Sequence, residues 1–511
     1  MTTAFEREIH TFHSGRPQPE SSSTGFTFDT VDPSTAKSLA TIYTTTSQQL
    51  DDAIASAQTA FPSWSQTPAL DRAAILLRAA VILRERNDEL ALTETMDTGK
   101  AWSETSTVDV QTGADVLEYY AHLVSGGLPG QHASLGPDGY FSTSHEPIGV
   151  CAGIGAWNYP LQIALWKSAP CLAAGNCMVY KPSEVTPLHA NILAQIYMEA
   201  GLPPGVFNVV YGDGPNVGAP LVAHEGIAKV SFTGQVSTGS KVASEAAKRL
   251  RGITMELGGK SPLLVLPDAD IEEAADIAMM ANFFSTGQVC TNGTRVFVPD
   301  TLLRQLEEAL IKRCREGIRM GLPTDPKTNF GPVVSDIHRD KVKMYIKHGR
   351  ENDRARVLYD GGIDGQKDFP SEEGFWVSPV IFTDCTDDMR IVQEEIFGPV
   401  MSILPYKTQY QAEEDWLCDL IRRANNTPMG LAAGVASSDM GLAQRVVQRL
   451  DAGICWINTW GESPAAMPVG GWKMSGMGLE NGPEGIQAYL RIKSTLVRCG
   501  KGACSGIFTK S

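Results

Sequence analysis

No two cysteines of this chain are spaced C-x-x-C, and the ten that occur are scattered through 511 residues. A zinc ribbon or a disulfide framework is therefore not expected, and any special cysteine should be a reactive thiol. The nine histidines are dispersed too. His10 and His13 lie close together, but in a polar segment without partner cysteines, so no metal site is expected. No apolar run approaches the ~18–20 uncharged residues of a membrane-spanning helix. The opening MTTAFEREIHTF has no apolar signal core, and the closing Thr-Lys-Ser is not a peroxisomal tripeptide. A cytoplasmic location with no membrane association is the expectation. Basic residues are outnumbered, 43 Lys and Arg against 58 Asp and Glu, for a formal net charge of −15. That counts against a nucleic-acid partner, whose phosphates need clustered cations. The G-x-G-x-x-G fingerprint is missing, and so is the G-x-S-x-G elbow of serine hydrolases. Gly234 to Gly239 imitates a Walker spacing, but Ser240-Lys241 reverses the required order.

What is present is strand–helix alternation. Between 148 and 259, β-rich runs fall at 148–156, 177–181, 206–211, 228–233 and 253–257. Helix-compatible segments at 161–174, 187–200 and 236–250 separate them. Such alternation predicts right-handed βαβ units and a parallel sheet covered on both faces. A second α/β series runs from about 262 to 458. Two open α/β domains follow, with the active site at the carboxyl ends of their strands. Upstream, 14–46 reads as edge strands and turns. Gln48 to Thr95 reads as helical, with Leu76, Leu77, Ala80, Val81 and Leu83 on one face. Residues 128–147 read as a hairpin turning at Gly136-Pro137-Asp138-Gly139, and 487–498 as a late strand. Both offer edges for pairing with another subunit or for capping their own sheet.

Three stretches carry chemistry. Cys290 follows the helical run Ile271 to Phe283 and a Gly-Gln turn, where backbone N–H groups can stabilise a thiolate. A lone cysteine is more commonly a small buried hydrophobe. Glu256 ends a strand just before Gly258-Gly259, where burial can raise a carboxylate into a general base; the alternative is a surface Glu. Asn158 closes the first parallel strand, either as an oxyanion donor or as the N-cap of the helix begun by Pro160.

With WNYP (157–160), KPSE (181–184), SFTG (231–234), ELGGKSP (256–262), GQVC (287–290), EEIFGP (394–399) and GGWKMSGMG (470–478) in this order, the chain resembles the aldehyde dehydrogenase superfamily throughout. The resemblance implies a Rossmann-like NAD-binding domain (1–126 and 148–257), a catalytic domain (258–467) and a β oligomerisation arm (127–147 and 486–500). It makes Cys290 the nucleophile, Glu256 the general base and Asn158 an oxyanion donor. It implies NAD as cofactor, held by Trp157, Lys181, Ser183, Glu184, Gly234, Gln235, Glu256, Leu257, Gly258, Glu395 and Phe397. A carboxylate such as Glu184 at the adenosine ribose repels a 2′-phosphate, which favours NAD over NADP. Lys473 and Glu480 receive a supporting catalytic role, the alternative being a surface ion pair. A homodimer or homotetramer is expected.

The stretch from Gly453 to Gly471 looks most like betaine aldehyde dehydrogenases, in which aromatic rings enclose a trimethylammonium group. The matching positions are Tyr159, Trp166, Phe284 and Trp456, with Trp460 added. A quaternary ammonium has no N–H to donate, so aromatic faces are its natural partners. The implied substrate is betaine aldehyde, with an ω-aminoaldehyde (4-trimethylaminobutyraldehyde or 4-aminobutyraldehyde) as the alternative. CoA-acylating oxidation ranks lower because Glu256 is retained. The chain departs from the family pattern at Phe284 (Trp in some members), Trp472 (Tyr), Leu479 (Arg) and Gln235 (a small residue).

Overall fold

The computed structural model describes residues 5–19, 26–137, 139–362, 373–409 and 412–499. Asp138 of the expected hairpin turn, Gly500 of the expected arm and the closing Thr-Lys-Ser lie outside the described residues, as do 1–4, 20–25, 363–372 and 410–411 of the expected domains.

Five strands form the parallel part of the first sheet: β1 (Val150–Ile154), β2 (Cys177–Lys181), β3 (Phe207–Val209), β4 (Lys229–Thr233) and β5 (Gly252–Glu256). Their order is β5-β4-β1-β2-β3. The chain thus runs outward from β1 on one side, then returns to β4 on the other. The crevice beside β1 is the switch point where ligands of open α/β sheets bind. Every residue of β1 and β2 is buried, as strands covered on both faces must be. The crossovers carry α1 (Pro160–Ala173), α2 (Leu188–Glu199) and α3 (Val236–Ala247). Pro160 begins α1, where its missing N–H removes no helical bond. Only Gln162 and Trp166 of that helix escape full burial, and both face the cavity described below.

The second sheet contains β6 (Pro262–Val265), β7 (Arg295–Pro299), β8 (Val380–Thr383), β9 (Val400–Tyr406), β10 (Ala432–Ala436) and β11 (Ile454–Ile457). They lie parallel in the order β8-β9-β7-β6-β10-β11, with Arg356–Asp360 antiparallel on the β8 edge. Between β6 and β7 runs α4 (Ile271–Phe283), capped by the Asp270 carboxylate, which accepts from the N–H groups of Glu272 and Glu273. Its end delivers the chain to Cys290.

The helical segment expected between 48 and 95 is three helices, Ser47–Gln66, Ala69–Glu85 and Asn87–Thr98. Leu76, Ala80 and Leu83 are buried and Leu77 is half-buried, but Val81 is 49% exposed. Five residues from Leu76, it lies ~140° round the helix and leaves the apolar stripe. The strands His132–Ser134, Gly139–Pro147 and Leu490–Arg498 form a separate antiparallel sheet with Gly139–Pro147 in the centre. Among the described residues no helix is long and apolar enough to cross a membrane.

Candidate active site

The carboxyl ends of the first sheet and the loop before β7 enclose a cavity of about 1580 Å³. Cys290, Glu256 and Asn158, drawn from three distant parts of the chain, all line it. Three consecutive residues bring Cys290 there in left-handed conformation, Ser285 (φ 51°), Thr286 (φ 54°) and Gly287 (φ 73°). Gly287 is required twice over, because a Cβ would also lie 2.4 Å from the Gly398 carbonyl carbon. Burial pushes the Cys290 thiol up to about 12, helped by the nearby Glu395 and Glu256 carboxylates and opposed by backbone N–H groups. Asn158 is not the N-cap of α1; that place is Tyr159, without a side-chain cap. Its amide donates instead to the Gln288 carbonyl at 3.0 Å, which registers it against the Cys290 loop.

Glu256 is buried, and its Oε1 has no hydrogen-bond partner among the described residues. Burial first, then Glu480, raises its pKa well above the ordinary value, while Lys167 lowers it. Glu480 lies behind it, accepting from Lys167 Nζ at 2.7 Å and from the Ser231 hydroxyl at 2.8 Å. Lys473 does not border the cavity. On the strand Trp472–Lys473 it pairs with Asp451 at 2.9 Å and donates to the Asn425 carbonyl, which is the surface ion pair of the alternative reading. A supporting catalytic place for it is thereby corrected.

All eleven positions implied as cofactor contacts border the same cavity. Lys181 is buried, donating to the Pro182 carbonyl at 3.0 Å and facing Glu184 at 3.4 Å. Gln235 is the N-cap of α3 and supplies no side-chain bond, so the first-turn N–H groups have no side-chain cap. Glu395 accepts from the Gly259 N–H at 3.0 Å. Phe397 holds φ 62°, its carbonyl accepting from His338 Nε2 at 2.7 Å. Burial lowers His338 to about 4, so the ring is neutral and carries its proton on Nε2. The Trp157 ring meets both edge-on, 5.0 Å from His338 and 5.1 Å from Phe397. Sequence reasoning missed His338 among the dispersed histidines, since its partner lies 59 residues away.

Tyr159, Trp166, Phe284 and Trp460 supply aromatic walls. Trp456 does not. It packs behind Trp460 with ring centres 5.1 Å apart, its indole N–H donating to the Glu462 carbonyl. Trp456 shares its face of β11 with Ile454, which does border the cavity, but Trp460 stands between it and the space, so its place is behind the cage wall and its assignment to the cage is corrected. Trp460 is seated by glycines: a Cβ at Gly434 would lie 2.4 Å, and one at Gly293 2.7 Å, from its ring. Glu462, not singled out from sequence, brings a carboxylate to the cavity wall. No group of His, Cys, Asp or Glu suited to a metal ion occurs among the described residues.

A cysteine and a buried carboxylate thus converge beside the switch-point crevice of a Rossmann-like sheet. The profile of the aldehyde dehydrogenase family matches residues 20–495, and the chain belongs to that family. It is similar to an aldehyde dehydrogenase from Bacillus cereus (36% identity, 96% of this chain and 97% of the other, TM-score 0.90). A betaine aldehyde dehydrogenase from Staphylococcus aureus, solved with NAD+, is 34% identical over 99% of this chain and 98% of its own, with TM-score 0.91. An aldehyde dehydrogenase from Pseudomonas aeruginosa is 34% identical over 96% and 97%, with TM-score 0.90.

Proposed function

We propose that the protein oxidises an aldehyde that carries a cationic group, betaine aldehyde first, to the carboxylic acid with NAD. The observation that carries this reading is the meeting of Cys290, the Asn158 amide and the unpartnered Glu256 Oε1 in one cavity.

The residues fit the cofactor. Free N–H groups at the start of α3 suit a pyrophosphate, and Glu184 suits ribose hydroxyls. Gly258 lets Glu395 lie so close that a Cβ would fall 2.2 Å from its Oε2. When bound, NAD accepts the hydride released by the substrate carbon. The chain's own residues do the rest. Cys290 gives its thiol proton to the nearby Glu256 carboxylate, which passes it on to solvent, and attacks the carbonyl as thiolate; Asn158 with the Cys290 backbone N–H holds the oxyanion that results. Collapse of that tetrahedral centre leaves an acyl thioester on Cys290. Glu256 then takes a proton from water, which attacks the thioester and frees the acid and the thiol. Its raised pKa makes it a better base than an ordinary carboxylate once ionised.

Trp166, Phe284, Trp460 and the Glu462 carboxylate support a cationic substrate. Tyr159 is a weaker contributor, because Lys100 Nζ already sits 4.0 Å from its ring centre. The separate three-stranded sheet, exposing Ile492 and Leu496, supports the further reading that it joins subunits in a homodimer or homotetramer. NADH formation without CoA, across betaine aldehyde, 4-trimethylaminobutyraldehyde, 4-aminobutyraldehyde, acetaldehyde and hexanal, tests the proposal. Cationic aldehydes are expected to lead in kcat/KM. A lead by acetaldehyde or hexanal refutes the cationic specificity, and a strict requirement for CoA refutes hydrolysis by Glu256.

A further inference from the structure

We infer that Glu104 is a positioning residue whose buried carboxylate clamps Ser285, and through it the turn that presents Cys290. This rests on the thiol mechanism proposed above. Glu104 ends the short helix Trp102–Glu104 and opens onto a π turn, Thr105–Asp109, an uncommon insertion that tends to accompany functional sites. It does not border the cavity and touches neither substrate nor cofactor space. Its Oε1 accepts from the Ser285 N–H at 3.1 Å, and its Oε2 from the Ser285 hydroxyl at 3.2 Å. Both groups that Ser285 has to donate are thus received by one side chain 181 residues away.

The clamp acts where the backbone most needs it. Left-handed conformation is unfavourable for Ser and more so for β-branched Thr, so Ser285 and Thr286 keep it only if held from outside. Thr286 is held by its hydroxyl, which donates to the Gly331 carbonyl at 3.1 Å. Ser285 is held by Glu104. A serine hydroxyl has one hydrogen; when Glu104 is ionised that hydrogen goes to Glu104, and the Tyr159 hydroxyl, 2.9 Å away, then donates to Ser285 Oγ. One carboxylate thereby orders both the turn before the nucleophile and an aromatic wall of the aldehyde pocket. The titratable groups facing this cluster are Lys100, paired with Glu94 and Asp109, and the Cys290 thiol beyond Tyr159. Three residues after Ser285, the Gln288 carbonyl receives Asn158, so a shift of the turn moves the thiol relative to the oxyanion donor.

The test uses full-length Glu104→Gln, Glu104→Ala, Ser285→Ala and Glu104→Gln/Ser285→Ala. Readouts are kcat, aldehyde KM, NADH affinity by fluorescence, and the rate of Cys290 alkylation by iodoacetamide. Misplacing a reacting group by ~1 Å costs up to ~100-fold, so kcat and alkylation should fall on the order of ten- to a hundredfold in Glu104→Ala. Glu104→Gln, which keeps an acceptor for the N–H, should be milder, and NADH affinity should not change. The double variant should be no slower than the worse single one, because both remove the same link. If Glu104→Ala does not fold, Glu104→Gln and Ser285→Ala carry the same comparison. Wild-type kcat and alkylation in the variants, additive losses, or a matching loss of NADH affinity would overturn the proposal. Full turnover by Cys290→Ser would instead overturn the thiol mechanism on which it stands.

Discussion

Lys167 Nζ lies 2.7 Å from Glu480 Oε1, and together they face the back of the proposed base, Glu256. Glu480 raises the Glu256 pKa and Lys167 lowers it. Lys167→Met should therefore push Glu256 further up, leaving less of it ionised near neutrality. The acid limb of the kcat–pH profile should move to higher pH, with activity recovered in alkaline buffer. A profile that falls uniformly without moving would mean that Lys167 only supports packing.

Asn158→Ala should lower kcat on the order of a hundredfold, since one preorganised oxyanion donor is worth ~3 kcal/mol. Because the same amide also donates to Gln288, some of that loss comes through the loop. Alkylation of Cys290, which develops no carbonyl oxyanion, separates the two contributions. It should fall far less than kcat.

The two tryptophans should respond differently. Trp460 borders the cavity, so Trp460→Ala should raise KM for cationic aldehydes by about 5–30-fold, the worth of a cation–π contact of ~1–2 kcal/mol, and affect acetaldehyde little. Trp456 is buried behind it. Trp456→Ala should lower Tm and impair all aldehydes alike, since emptying a core aromatic site costs ~3–5 kcal/mol. KM series and melting curves on both variants check this.

Gly258→Ala addresses the cofactor side. A Cβ there would fall 2.2 Å from Glu395 Oε2, so Glu395 must move or the strand end must shift. KM for NAD should rise on the order of tenfold, about what loss of one charge-assisted hydrogen bond implies. Cys290 alkylation in the absence of NAD should not change. An unaltered KM would mean that Glu395 takes no part in holding the cofactor.

How far sequence carried these arguments depended on the distance between partners. The five parallel strands, α1 and α3 were legible because burial on both faces leaves continuous apolar runs between turn residues. Cys290, Glu256 and Asn158 stood out through short motifs that close a strand or open a helix. Trp456 was misjudged because sequence does not say that Trp460 would fold back over it and take the cavity wall. Lys473 was misjudged because a motif neighbour need not face the same way. Glu104 was invisible, as its partner is 181 residues off and neither side has a local pattern.

Glu104 also gives stability a pH dependence of defined sign. Burial, with Asp109 adding to it and Lys100 and Ser285 opposing it, pushes its carboxyl from 4.5 to about 8. An acid whose folded pKa exceeds its unfolded value binds more protons in the native state between the two. Its contribution is therefore fully present below pH ~4.5 and is lost as pH rises to ~8, above which it is constant. Many other groups titrate in that window, so the useful quantity is the Tm of wild type minus that of Glu104→Gln, in which their effects largely cancel. That difference should decline from pH 5 to pH 8 and then level off. A difference that stays flat, or grows with pH, would mean that Glu104 is already ionised at pH 5 and that the clamp on Ser285 holds a full charge throughout.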